Sequence, residues 1–110
     1  MPNADWIDAE PKYIRAGETN IIGVDMTGWL LGGKTISSVV CSDAAGLTVA
    51  SVGKNAATFE NDLGGTCAVN KGLTAIVSGQ VAGTTYNLKF AATLSSAEVK
   101  VCKVTLIGID

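Results

Sequence analysis

The sequence predicts an all-β sandwich, and three observations predict it. Residues 83–94 place Tyr86, Leu88, Phe90, Ala92 and Leu94 on every second position, with Thr85, Asn87, Lys89 and Thr93 among the residues between them. That period belongs to a strand with one buried and one wet face. Further short β-branched segments follow one another at regular spacing, separated by glycine-bearing turns and without an amphipathic helical repeat. Tyr86 also stands near the start of its strand, just after a run of small residues. An immunoglobulin-like sandwich places a tyrosine there, with its hydroxyl bonded back to the preceding turn. The expectation is an immunoglobulin-like antiparallel β-sandwich of about seven or eight strands with an N-terminal arm.

Residues 1–18 differ from the rest: Asp5, Asp8, Glu10 and Glu18 are interspersed with Trp6, Tyr13 and Ile14. Pro11 pushes the residue before it toward an extended conformation. The segment reads as an extended arm or a first edge strand, with the sandwich proper at 19–110. Large aromatic side chains dominate interface energetics, so Trp6, Tyr13 and Ile14 are the expected anchors of the arm on a partner. Removal of 1–16 is accordingly expected to spare folding.

From Asn20 the β pattern begins. Ile22, Val24 and Met26 alternate with Gly23 and Asp25, giving a strand that ends near Thr27-Gly28. An apolar anchor at Trp29 follows, then a glycine turn at Gly32-Gly33. Thr35 to Cys41 is rich in β-branched residues and reads as a strand, with Ile36 in the core. Ser42 to Gly46 is turn chemistry, Leu47 to Val52 a short strand closed by Gly53-Lys54-Asn55, and Ala56 to Glu60 a weaker strand holding Phe59. Asn61-Asp62-Leu63-Gly64-Gly65 is the strongest loop signal, and the loop from Asn61 to Lys71 is a second expected contact, with Asn61, Asp62 and Leu63 at its head. Leu73 to Val77 is another strand, and Gly79 and Gly83 bracket the approach to Tyr86. In the last segment, Glu98 to Ile109, Val99 and Val101 take odd positions whereas Val104 and Leu106 take even ones. A β-bulge near Cys102-Lys103 would bring both pairs to one face. The expected structural residues are Trp29, Ile36, Tyr86, Leu88 and Phe90.

The chain has 110 residues, enough for one domain, and a domain of that size buries roughly 65% of its unfolded surface without needing a disulfide or metal. Apolar residues make up 47% of the sequence, which excludes a disordered chain, and aromatic residues only 5%, which leaves the core to aliphatic side chains. The net charge of −2 is scattered, without a lysine or arginine cluster to neutralise phosphates, so nucleic acid is not an expected partner. No apolar run approaches membrane-spanning length, and no membrane partner is expected. The N-terminus lacks the basic and apolar regions of a signal peptide, which points to synthesis in a cytoplasm. Cys41, Cys67 and Cys102 are odd in number and form no CxxC pair, so they read as small buried side chains rather than as a disulfide framework or zinc site.

Two motifs invite chemistry. Gly28 to Thr35 fits the phosphate-loop pattern, but that mechanism needs a helix directly after it, and Ile36-Ser37-Ser38-Val39-Val40-Cys41 favours a strand. Catalysis has little to work with. The chain has no histidine, and Asp43, Glu60, Asp62 and Glu98 all sit in or beside polar turns. Lys103 adjoins Cys102, yet neighbouring strand residues face opposite ways. No cofactor, metal or enzymatic activity is expected.

From Ile21 onward the chain resembles a family of small immunoglobulin-like virion proteins of tailed bacteriophages, of the fibre-tail adaptor or minor structural type. The resemblance rests on Val24-Asp25-Met26 leading to Trp29-Leu30-Leu31, then Thr35-Ile36-Ser37-Ser38, then Gly46-Leu47-Thr48-Val49, then Ser78 to Tyr86 leading to Ala92-Thr93 and a final β-branched strand, in that order over residues 20–107. The chain departs from the family in having Ser95-Ser96-Ala97-Glu98 where a Gly-Arg hairpin is usual, and in a longer insert from Asn61 to Lys71. The resemblance implies a non-enzymatic structural protein of the virion, made in the host cytoplasm and held by contacts with capsid, tail or fibre subunits. Capsid decoration and a head-tail or fibre adaptor both stay open, as does a homo-oligomer. The alternative reading is an immunoglobulin-like module that binds carbohydrate or a cell surface, with Trp29 as its only central platform.

Overall fold

The computed structural model describes residues 6–8, 11–60 and 65–110, the first three by their backbone. Among the described residues the strands are β1 (Trp6–Asp8), β2 (Lys12–Arg15), β3 (Asn20–Asp25), β4 (Ile36–Asp43), β5 (Thr48–Lys54), β6 (Phe59–Glu60), β7 (Thr66–Cys67), β8 (Gly72–Ser78), β9 (Thr85–Leu94) and β10 (Val99–Ile109). Two 3-10 turns, Thr27–Trp29 and Leu31–Gly33, separate β3 from β4.

Sheet A runs β4–β9–β10 and ends on β1 and β2, which lie one after the other along the same edge of β10. Sheet B runs β3–β8–β5, and β6 with β7 forms a separate hairpin. Only β1 and β2 pair in parallel, each with β10; the other described pairs are antiparallel. With β1 and β2 counted as one interrupted edge strand, the two sheets form a sandwich of immunoglobulin-like layout.

The local sequence accounts for each layer. On β9, Tyr86, Leu88, Phe90, Ala92 and Leu94 are all buried, as their period of two requires. They face Ile22 and Val24 of β3 and Leu73, Ala75 and Val77 of β8 within one core, together with Ile36, Val39, Cys102, Val104 and Leu106. Full burial of a leucine or phenylalanine contributes about 1.5–3 kcal/mol, so the side chains of β9 alone are a large share of what holds the sheets together. Met26, Leu30 and Leu47 close the core at the ends of strands. The tyrosine expectation holds: the Val81 N–H donates to Tyr86 Oη at 2.8 Å, fastening the β8–β9 loop to the start of β9. Trp29 is half-buried and packs against the core, and Ile36 is inside it.

Three expectations need correction. Strand β10 has no bulge: its register with β9 runs unbroken from Val99↔Thr93 to Ile107↔Thr85. Its inward positions are Lys100, Cys102, Val104 and Leu106. A lysine therefore opens the inward series. Its stem is covered and its ammonium lies 3.7 Å from the Glu98 carboxylate, which allows a charged residue at a core phase near a sheet end. Val99 and Val101 simply face outward.

Of the arm and the edge strand expected at the N-terminus, the described residues 6–8 and 12–15 form the edge strand, and the contact and truncation expectations tied to the arm change with it. Ile14 is 3% exposed and belongs to the core, so it is no anchor for a partner. Removing 1–16 would strip β10 of its edge partner and open the core at Ile14, contrary to the expectation that folding is spared.

The strand expected at Ala56 to Glu60 shrinks to Phe59–Glu60. Just before it Asn55 is buried. Its Nδ2 donates to the carbonyls of Ala57 at 3.0 Å and Ala68 at 2.8 Å, its Oδ1 accepts from the Gly72 N–H at 2.9 Å, and its backbone N–H donates to the Gly72 carbonyl at 3.0 Å. That network holds the chain in a turn where the sequence pattern suggested extension.

A candidate protein-contact face on sheet A

The outward positions of sheet A line up in rows fixed by strand register. Val40, Ala91 and Val101 are lateral neighbours across β4, β9 and β10, and Trp6 of β1 holds the next register position. Val99 stands beside this row, in register with Thr93. Val40 is 60% exposed and Val99 51%. The next row holds Asp43, Lys89 and Lys103, and the one beyond pairs Asn87 with Thr105 through a 3.1 Å side-chain hydrogen bond. At the far end Tyr13, 66% exposed, is in register with Ile107. The wet face of an antiparallel sheet ordinarily alternates polar residues against the apolar side. Here its ends carry valine, alanine, isoleucine and tyrosine around a charged middle, the make-up of an interaction site with polar rows in between.

The sequence-predicted contact residues separate in this frame. Tyr13 lies on the face, Ile14 lies in the core, and Trp6 is placed by its backbone at the end of the apolar row. Asn61, Asp62 and Leu63 lie outside the described residues. Sequence reasoning missed Val40, Val99 and Val101. For Val99 and Val101 the signal was present in β10, where both alternating sets contain apolar residues.

The outer face of sheet B is built differently. A Cβ at Gly23 would stand 3.0 Å from the ring of Phe59, and one at Gly72 would stand 2.7 Å from Cys67 Sγ and 3.0 Å from the same ring. Both glycines let the β6–β7 hairpin lie flat on strands β3 and β8. Beyond the hairpin, Ile21 is exposed next to its register partner Ile76.

Several chemistry-bearing groups among the described residues hold the structure together. Lys34 forms an ion pair with Glu98, and the Lys71 ammonium donates to the Lys34 carbonyl at 2.7 Å. The Thr35 N–H donates to Ser95 Oγ at 3.2 Å and the Ile36 N–H to the Asn70 carbonyl at 2.9 Å. With β4 following directly, Gly28 to Thr35 cannot wrap a phosphate in the manner the motif requires. The Lys34 ammonium beside Glu98, helped by the Ser96 hydroxyl, lowers the Glu98 carboxyl to about 2. Burial, and secondarily the neighbouring Asp25, pushes the Cys67 thiol up to about 12, and burial raises Cys41 as well. Neither thiol is set up as a thiolate nucleophile. Asp43 accepts the Ala45 N–H at 2.9 Å and shapes the β4–β5 turn. Among the described residues no group of three or more cysteine, aspartate or glutamate side chains is placed to hold a metal ion.

The chain matches no protein-family model and no curated protein.

Proposed function

We propose that this protein is a non-enzymatic structural component of a tailed-bacteriophage virion that acts through protein–protein contacts, as a capsid decoration protein or a head-tail or fibre adaptor. The observation that carries the reading is the outer face of sheet A: an outward apolar row, Val40–Ala91–Val101, in which Val40 is exposed and Ala91 and Val101 are half-buried, with exposed Val99 beside it. Burying such a row on a neighbouring subunit gains roughly 25 cal/mol per Å² of apolar surface, and the charged row Asp43–Lys89–Lys103 beside it gives the contact a register. The ordered resemblance over residues 20–107 supplies the virion context. Trp29, the platform a carbohydrate reading would need, is engaged against the core, so no observation favours that alternative.

Quantitative mass spectrometry of purified particles of the phage that encodes the chain tests the reading. The expected result is a fixed number of copies per particle. Complete particles without the chain would contradict it.

A further inference from the structure

We infer that the N-terminal strand pair β1–β2 is an exchangeable element, and that two copies of this chain can trade it, each docking its β1–β2 on the other's β10. The slot it occupies is an edge of sheet A, and the segment holds there by parallel pairing over Trp6–Asp8 and over Lys12–Arg15. Within β2 a single side chain, Ile14, enters the core. An edge strand is paired on one side only and separates from its sheet at lower cost than an internal strand. The partner that fits the vacated slot best is the same segment from a second copy, because it repeats every contact without a new one having to be built.

The hinge carries a second, independent observation. Residues 16–19 are all exposed and join β2 to β3 through a tight reversal in which Gly17 adopts φ +85° and Glu18 N–H donates to the Arg15 carbonyl at 3.3 Å. Gln80, 5% exposed, grips this reversal: its Nε2 donates to the Arg15 carbonyl and, at 2.8 Å, to the Glu18 carbonyl. Its Oε1 is buried without a hydrogen-bond partner, and so is Nδ2 of Asn20, the first residue of β3 after the hinge. Each such atom costs free energy in the closed form. Both unsatisfied groups thus flank the short connection whose straightening exchange requires. A short connection favours exchange where closing it leaves such groups unsatisfied, and exchange is opposed by the two bonds that Gln80 donates to the carbonyls of Arg15 and Glu18.

The exchange deepens the virion reading, since traded strands would link neighbouring copies, but its test needs only purified protein. In a Cys41→Ser background, one chain carries Tyr13→Cys and a second, differently tagged chain carries Ile107→Cys, two positions in register between β2 and β10. The chains are unfolded together, refolded at high concentration and oxidised. The expected result is a disulfide-linked heterodimer. Deleting Gly17 and Glu18 is expected to shift the wild-type background from one-chain to two-chain mass by light scattering, and inserting four Gly/Ser residues there is expected to abolish the cross-link. A chain bearing both substitutions reports whether the strand docks at all. If it forms the bond only within itself while the separate chains stay unlinked and the shortened hinge stays monomeric, the inference is overturned. That result leaves the virion reading standing, because contact through the valine face does not need exchange.

Discussion

The two sheets treat their outer faces in opposite ways. On sheet B the chain supplies its own cover: Gly23 and Gly72 remove the Cβ atoms that would obstruct Phe59 and Cys67, and Asn55 satisfies the backbone groups of the hairpin that carries them. On sheet A the corresponding outward row is Val40, Ala91 and Val101, with exposed Val99 alongside, and the described chain lays no hairpin across it. Glycine on an outer face receives an internal cover by close backbone approach, whereas branched aliphatic residues offer area to something external. The same fold therefore holds one face that its own hairpin covers in part, with Ile21 exposed beyond it, and one that no described hairpin crosses.

That contrast predicts unequal costs for truncation. Phe59→Ala, which strips the cover from sheet B, is expected to destabilise the protein by about 2–3 kcal/mol, whereas Val101→Ala on sheet A costs less than about 1 kcal/mol. Equal shifts in urea midpoint would erase the distinction between the two faces. Gly72→Ala sharpens it from the other side. The added methyl would stand 2.6 Å from the Val24 carbonyl oxygen and 2.7 Å from Cys67 Sγ, so a loss of about 1–3 kcal/mol is expected from overpacking, together with faster labelling of the Cys67 thiol. A neutral Gly72→Ala would mean that the hairpin does not sit on that strand.

Legibility follows the same division. Strand β9 could be read from sequence because only one of its two phases is apolar, so its buried set was determined by period alone. Strand β10 carries apolar residues in both phases, Val99, Val101 and Ile107 in one and Cys102, Val104 and Leu106 in the other, and the sequence pattern cannot say whether the second set marks a bulge or a second covered face. The phase change that suggests a bulge at Cys102-Lys103 reflects outward-facing Val99 and Val101. The β6–β7 hairpin escaped for another reason: strands of two residues have no measurable period, and Phe59 meets Gly72 across 12 residues of intervening chain and Gly23 across 35. Tyr13 and Ile14 show the limit of residue type as a guide, since adjacent residues on a strand are sent to opposite faces and only pairing with β10 decides which is which.

A smaller effect is expected at the corner where sheet A's last strand begins. Glu98, held at about 2 by Lys34 and Ser96, has a folded-state pKa below the ordinary glutamate value of about 4.3. A depressed carboxylate contributes stability above its unfolded pKa and loses it as pH falls through the folded one. Wild type is therefore expected to exceed Glu98→Gln in stability at pH 6, with the difference closing between about pH 4.3 and pH 2. A difference independent of pH would place the effect in packing rather than in the ion pair.

The most direct measurement compares the two outer faces in the assembled particle. Val40→Asp combined with Val101→Asp alters sheet A, and Ile21→Asp, also at an exposed aliphatic position, alters sheet B. Val40 and Ile21 are exposed whereas Val101 is half-buried, so the folding of each isolated variant is checked by urea midpoint before particles are counted. Copy number per virion is then counted for both variants against wild type. The account predicts that the sheet A variant is lost from particles while the sheet B variant is retained at wild-type occupancy. Wild-type occupancy of the Val40→Asp, Val101→Asp variant would contradict it.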